Sequence, residues 1–160
     1  MSEVMIYSDG SSRGNPGPGG YGTIIRFIDS KGECFEKIIS AGYKLTTNNR
    51  MELMGVISGL SALTRSCDVV ITSDSKYVID AFNKNWIESW KKSNFRQNTK
   101  NPVKNIDLWK QLITLVEKQN SVKFVWIKGH NGHEFNEKCD MLATTAADSN
   151  DLLDDIGFTL

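Results

Sequence analysis

The chain has 160 residues and a formal net charge of zero, with 19 Lys and Arg against 19 Asp and Glu. That length supports one domain with a real core, and the even charge argues against a polycation coating nucleic acid over its whole surface. Cys34, Cys67 and Cys139 are scattered without a CxxC pair, no apolar run approaches a membrane span, and the N-terminus has Glu3 and no long apolar stretch. A cytoplasmic protein in a reducing compartment, without signal peptide or membrane contact, is expected.

In chain order, residues 4–9 read as a buried strand ending in Asp9, followed by the glycine-rich stretch 10–22. A carboxylate closing a buried strand needs a partner, and a cation is one; a tight turn capped by Asp9 is the alternative. Residues 21–28 and 33–43 read as second and third strands joined by a short turn, an antiparallel meander. Thr46, Thr47, Asn48 and Asn49 offer N-caps to a helix over 50–64, whose core stripe is Leu53, Val56, Ile57, Leu60 and Leu63. Residues 68–73 form an apolar central strand ending at Asp74.

A helix is predicted over 75–82 and a mixed segment over 85–102, with Trp86 and Trp90 at i,i+4. Another helix covers 103–119, with Leu108, Trp109, Leu112, Leu115 and Val116 on its core face. A fifth strand at 122–127, a loop over 128–133 and a last helix over 134–147 complete the domain. The tail, 148–160, is acidic and expected to be only partly ordered. The predicted fold class is α/β: a five-stranded mixed sheet, three antiparallel strands then two parallel, flanked by helices. Crossovers bring the strand before Asp74 parallel to the strand before Asp9, so both carboxylates reach one sheet edge, where ligands sit.

The neutral total hides an asymmetry. Lys84, Lys91, Lys92, Arg96, Lys100 and Lys104 face only Glu88 within residues 84–104, whereas the chain from Glu134 onward is acidic. A basic segment in a neutral protein points to a polyanion docked at one place; a solvated loop is the alternative. Glu52 and Asp140, taken singly, read as surface acids near helix N-termini. With Asp9 and Asp74 they make a set of hard oxygen ligands suited to Mg²⁺ or Mn²⁺, in pairs roughly 4 Å apart at a reacting phosphorus. A zinc site on His130 and His133 is the rival, and it has no third nitrogen or sulfur ligand near in sequence.

Asp9-Gly10-Ser11, Thr47-Asn48-Asn49-Arg50-Met51-Glu52-Leu53, Ser73-Asp74-Ser75, Gly129-His130-Asn131-Gly132-His133 and Asn136-Glu137-Lys138-Cys139-Asp140 together resemble bacterial ribonuclease HI in order and spacing over residues 1–147. The resemblance implies a ribonuclease H-like fold and hydrolysis of the RNA strand of an RNA–DNA hybrid, leaving 3′-hydroxyl and 5′-phosphate ends. Asp9, Glu52, Asp74 and Asp140 would carry two Mg²⁺ ions, with Mn²⁺ able to substitute, and His130 would serve proton movement or product release, as imidazole can near neutral pH. Asn15, Asn48 and Asn49 match minor-groove contacts, Thr47 and Asn105 a pocket for a DNA-strand phosphate, and Trp86 and Trp90 aromatics against DNA sugars. Core packing is the alternative for the two tryptophans. Residues 84–104, with Lys91, Lys92 and Arg96, resemble the basic protrusion or handle, which attracts the backbone without reading sequence.

The sequence departs from the family pattern in three places. Lys76 stands where Gln often follows Asp-Ser at a minor-groove contact. Leu45 stands where a basic residue often precedes the Thr-Thr pair, with Lys44 beside it. Ser93, Asn94 and Phe95 replace more basic and aromatic handle residues. Two other readings stay open: a binding module that kept this fold without catalysis, and a resolvase or integrase domain on the same fold. No oligomerisation signal is present, and a monomer is expected.

Overall fold

A computed structural model describes residues 3–96, 101–129 and 131–160. The strands are β1 (Glu3–Ser12), β2 (Gly17–Ile28), β3 (Cys34–Thr46), β4 (Asp68–Ser73), β5 (Ser121–Trp126) and β6 (Leu152–Leu153). The helices are α1 (Asn48–Ser61), α2 (Lys76–Asn83), α3 (Trp86–Lys92), α4 (Ile106–Glu117) and α5 (Glu134–Ala147). They build one mixed sheet in the order β5-β4-β1-β2-β3-β6. β1, β2 and β3 form the expected antiparallel meander, and β4 and β5 run parallel to β1.

Among the described residues the expected five strands are six. Leu152–Leu153 adds a short parallel strand beside Gly42 and Tyr43. Two residues are too few to show a period of two, and the acids around them read as solvated chain. The tail is also held by Asp155, whose carboxylate meets the buried Arg50 guanidinium at 2.7 Å. β2 begins at Gly17 rather than 21, because the glycine-rich stretch pairs with the end of β1, with Ser12 opposite Gly19. α1 starts where Thr47 caps it, its side chain accepting from the Arg50 N–H.

Side chains alternate across the sheet. Ile6, Ile25 and Ile71 enter the main core with Leu53, Val56 and Leu60 of α1 and Trp109 and Leu112 of α4. On the other face α5 lies against Gly20, Gly22 and Gly42, where an added Cβ would strike helix backbone at Ala143, Cys139 and Ala146 respectively. Glycine is required there for close approach, so α5 sits flat on the sheet.

Candidate active site

β1 runs on to Ser12 against β2, so Asp9 lies within that strand rather than closing it, but the parallel pairing of β1 with β4 stops at Tyr7 and Thr72, at one edge of the sheet. Asp9 and Asp74 lie there. α1 enters from the side: its backbone at Met51 and Glu52 passes so close to Gly10 that no Cβ would fit. That contact lets the Gly10 N–H donate to Glu52 Oε1 at 2.6 Å and to Asp9 Oδ1 at 2.9 Å. Carboxylate oxygens of Asp9, Glu52 and Asp74 lie within 4.8 Å of one another. Asp140, half-buried on α5, stands outside this trio, but its charge acts on Asp9.

Asp9 and Glu52 are buried. Both are pushed well above the ordinary carboxylate range, chiefly by burial. For Asp9 the charges of Glu52, Asp74 and Asp140 add to this, and for Glu52 that of Asp74. Among the described residues, Glu52 Oε2 is buried without a hydrogen-bond partner. An orphaned oxygen among clustered carboxylates fits a divalent cation, which supplies both the missing ligand and the missing positive charge. The Cys139 thiol is pushed up to about 12, first by burial and then by the Asp9 charge.

His130 and Lys100 lie outside the described residues. His133 caps α5, its Nδ1 accepting from the Asn136 N–H at 3.3 Å, so that nitrogen is engaged in the cap rather than open to zinc. Asn15 Oδ1 accepts from the Asn48 N–H at 2.8 Å, joining the glycine-rich stretch to the start of α1. Asn15, Thr47, Asn48, Asn49 and Asn105 together line a cavity of about 820 Å³, whose far wall is tail residues Gly157 to Leu160. Asn105 donates to the Tyr77 hydroxyl at 3.0 Å.

The two handle tryptophans part company. Trp86 is exposed, whereas Trp90 packs edge-on against Trp109 at 4.9 Å and joins the core. Lys91 lies 3.9 Å from Glu88 and 3.7 Å from Glu117, Lys92 is exposed, and Arg96 bridges to Pro102. Lys76 is exposed at the start of α2, its ammonium 4.8 Å from the Trp126 ring centre.

The ribonuclease H family model matches residues 1–148. This chain belongs to the ribonuclease H family. It is 55% identical over 154 residues to a ribonuclease H of Lachnoclostridium phytofermentans, covering 96% of this chain and 97% of that relative. It is 51% identical over 156 residues to a ribonuclease H of Pectobacterium atrosepticum, covering 98% and 96%. Among solved structures, LC9-RNase H1, a type 1 RNase H with the type 2 active-site motif, superposes with a TM-score of 0.82 at 30% identity, covering 92% of this chain and 72% of that one. Membership makes the chain an endonuclease.

Two ribonuclease H residues escaped sequence reasoning. Arg50 stands inside a quoted motif, yet nothing local marks it as a buried hub. Only 2% exposed, it binds Asp107 at 2.7 Å, Asp155 at 2.7 Å and the Asn105 side chain at 3.3 Å. Burial alone would lower its pKa, and the hydrogen bonds to Asp107 and Asp155 more than offset that. Trp126 lies in the strand expected at 122–127, where nothing local marks it, and it stands 42% exposed beside Asp74.

Proposed function

We propose that the chain hydrolyses the RNA strand of RNA–DNA hybrids with two divalent cations, leaving 5′-phosphate and 3′-hydroxyl ends. Family membership supports the substrate and the strand cut. The observation that carries the metal reading is the trio of Asp9, Glu52 and Asp74 within 4.8 Å, with one buried oxygen of Glu52 unpartnered. Asp9, Glu52 and Asp74 would hold the cations, with Asp140 completing the set. Hard, all-oxygen ligation favours Mg²⁺, with Mn²⁺ able to substitute. Bound there, the cations supply an activated water and charge stabilisation at the leaving oxygen.

The chain's own residues do the rest. The Gly10 N–H holds Glu52 and Asp9 in place. His130 moves a proton or helps the product leave. Asn15, Asn48, Asn49 and Lys76 face the minor groove, where contacts can test for a 2′-hydroxyl. Thr47 and Asn105 hold a DNA-strand phosphate in the cavity at the start of α1. Trp86 packs against DNA sugars. Trp90 supports that surface from below, and Lys91, Lys92 and Arg96 attract the backbone. Residues 1–147 form the catalytic domain of a cytoplasmic monomer, with the handle at 84–104.

A labelled hybrid, an RNA duplex and a DNA duplex, each incubated with Mg²⁺ or with chelator, test this reading. Cleavage of the hybrid's RNA strand alone, in Mg²⁺ alone, with 5′-phosphate ends, is expected. Hybrid binding without cleavage would favour the non-catalytic module, and cutting of the DNA duplex the resolvase or integrase reading.

A further inference from the structure

The last residue of β5 has no part in the site as described, yet three of its features converge there. Trp126 pairs with Ser73, the residue before Asp74, and Ile127 extends the ladder by donating to the Ser73 carbonyl at 3.0 Å. The Trp126 indole N–H then donates to the Asp74 carbonyl at 3.0 Å. Its ring face lies under the Lys76 ammonium at 4.8 Å. Three residues on, Gly129 sits so close that a Cβ there would meet Asp74 Oδ2. A tryptophan 42% exposed fills little core, and this one spends its polar and its π surface on neighbouring residues of one turn.

We propose that Trp126 is a positioning residue: its indole N–H fixes the backbone that presents Asp74, and its ring holds the Lys76 ammonium in place at the start of α2. Lysine is a flexible point charge on a four-carbon stem, so a ring beneath it decides where the charge is spent. The Lys76 half rests on the hybrid-cleaving function proposed above. The Asp74 half rests on metal binding alone.

The test compares Trp126→Phe, which keeps a ring face but loses the N–H, with Trp126→Leu, which loses both, and with Lys76→Ala. Mn²⁺ affinity of the protein without nucleic acid is read by electron paramagnetic resonance, and hybrid affinity by binding in chelator across a salt series. Both Trp126 variants are expected to bind Mn²⁺ about three- to ten-fold more weakly, the size of one hydrogen bond. Trp126→Phe should keep hybrid affinity within two-fold of wild type. Trp126→Leu should weaken it about two- to five-fold, the size of a cation–π contact, Lys76→Ala at least as much, and the double variant Trp126→Leu with Lys76→Ala should be no weaker than Lys76→Ala.

Unchanged Mn²⁺ affinity in Trp126→Phe overturns the assignment, as does a double variant in which the two hybrid losses multiply. Should Trp126→Leu fail to give the native circular dichroism spectrum, the Mn²⁺ affinity of Trp126→Phe decides. A wild-type protein inert toward the hybrid would sink the proposed function while leaving the Mn²⁺ measurement to decide the Trp126 role.

Discussion

Asp9 and Glu52 are two buried acids whose burial opposes folding in the absence of a cation. Their raised pKa values mean that the folded chain keeps protons which the unfolded chain releases in the ordinary carboxylate range. Metal-free stability should therefore be fullest at low pH and fall as pH rises through the raised values. Thermal melts in chelator from pH 4.5 to 8 should show that decline, and Mg²⁺ should reverse it. Asp9→Asn keeps the shape and removes a charge. It should abolish hydrolysis, raise the metal-free melting temperature by a few degrees for about 1 kcal/mol, and flatten the pH dependence. A wild-type melting curve independent of pH in chelator would contradict this account of the cluster. The sequence showed these acids plainly, since Asp9 ends an apolar run and Glu52 stands in an early turn of a helix. It could not show Glu52 Oε2 stranded without a partner, which depends on α1 meeting Gly10 across 42 positions.

The handle is the element where charge reasoning and packing diverge. Its basic composition was legible, but helix α3 inside it was not, because seven residues give barely two turns of pattern. Removing Lys91, Lys92 and Arg96 together, each to Ala, should raise KM and leave kcat near wild type, the mark of lost uniform binding. Lys91 is shared with Glu88 and Glu117. The slope of log affinity against log salt should therefore fall by about 2 units rather than by the nearly 3 units of three full phosphate contacts. An unchanged slope would make the handle a solvated loop. The two tryptophans should separate in a melting experiment. Trp90→Ala removes a ring packed on Trp109 and should cost about 2–3 kcal/mol, below the range for a fully buried Trp because Trp90 is half-buried. Trp86→Ala should leave stability within about 0.5 kcal/mol, as surface changes do, and show its effect only in hybrid affinity. Spacing could place both residues on one helix side; it could not say which of them α4 would cover.

Across the whole molecule, one guanidinium gathers three distant segments. Arg50 at the start of α1 meets Asp107 at the start of α4 and Asp155 in the tail, and Thr46 donates to the same Asp155 carboxylate at 2.7 Å. Asp155→Asn leaves a buried cation with less than its share of negative charge. It should lower stability by about 2–3 kcal/mol, the scale of a hydrogen bond to a charged group, measured by urea denaturation; a change below 0.5 kcal/mol would mean the tail only rests on the fold. The topology was legible because the strand order and the acids after two apolar runs, Asp9 and Asp74, both point to one sheet edge. The tail was not, because Asp155 looks like its acidic neighbours until a partner 105 positions away is known.

The glycine strip beneath α5 bears on how the molecule opens. Gly20, Gly22 and Gly42 bring sheet and helix into backbone contact, so the fully buried apolar side chains of α5 are the small ones, Cys139, Ala143 and Ala147, with half-buried Phe135 stacked on Tyr7 at its start. No large, fully buried apolar side chain then anchors α5, while α1 and α4 are anchored by Leu53, Leu60, Trp109 and Leu112. Opening free energy follows buried apolar area. Amide hydrogens of α5 should therefore exchange with deuterated solvent well before those of α1 and α4, through a partial unfolding that leaves the main core intact. Because α5 carries Asp140, divalent cation should slow exchange there more than anywhere else in the chain.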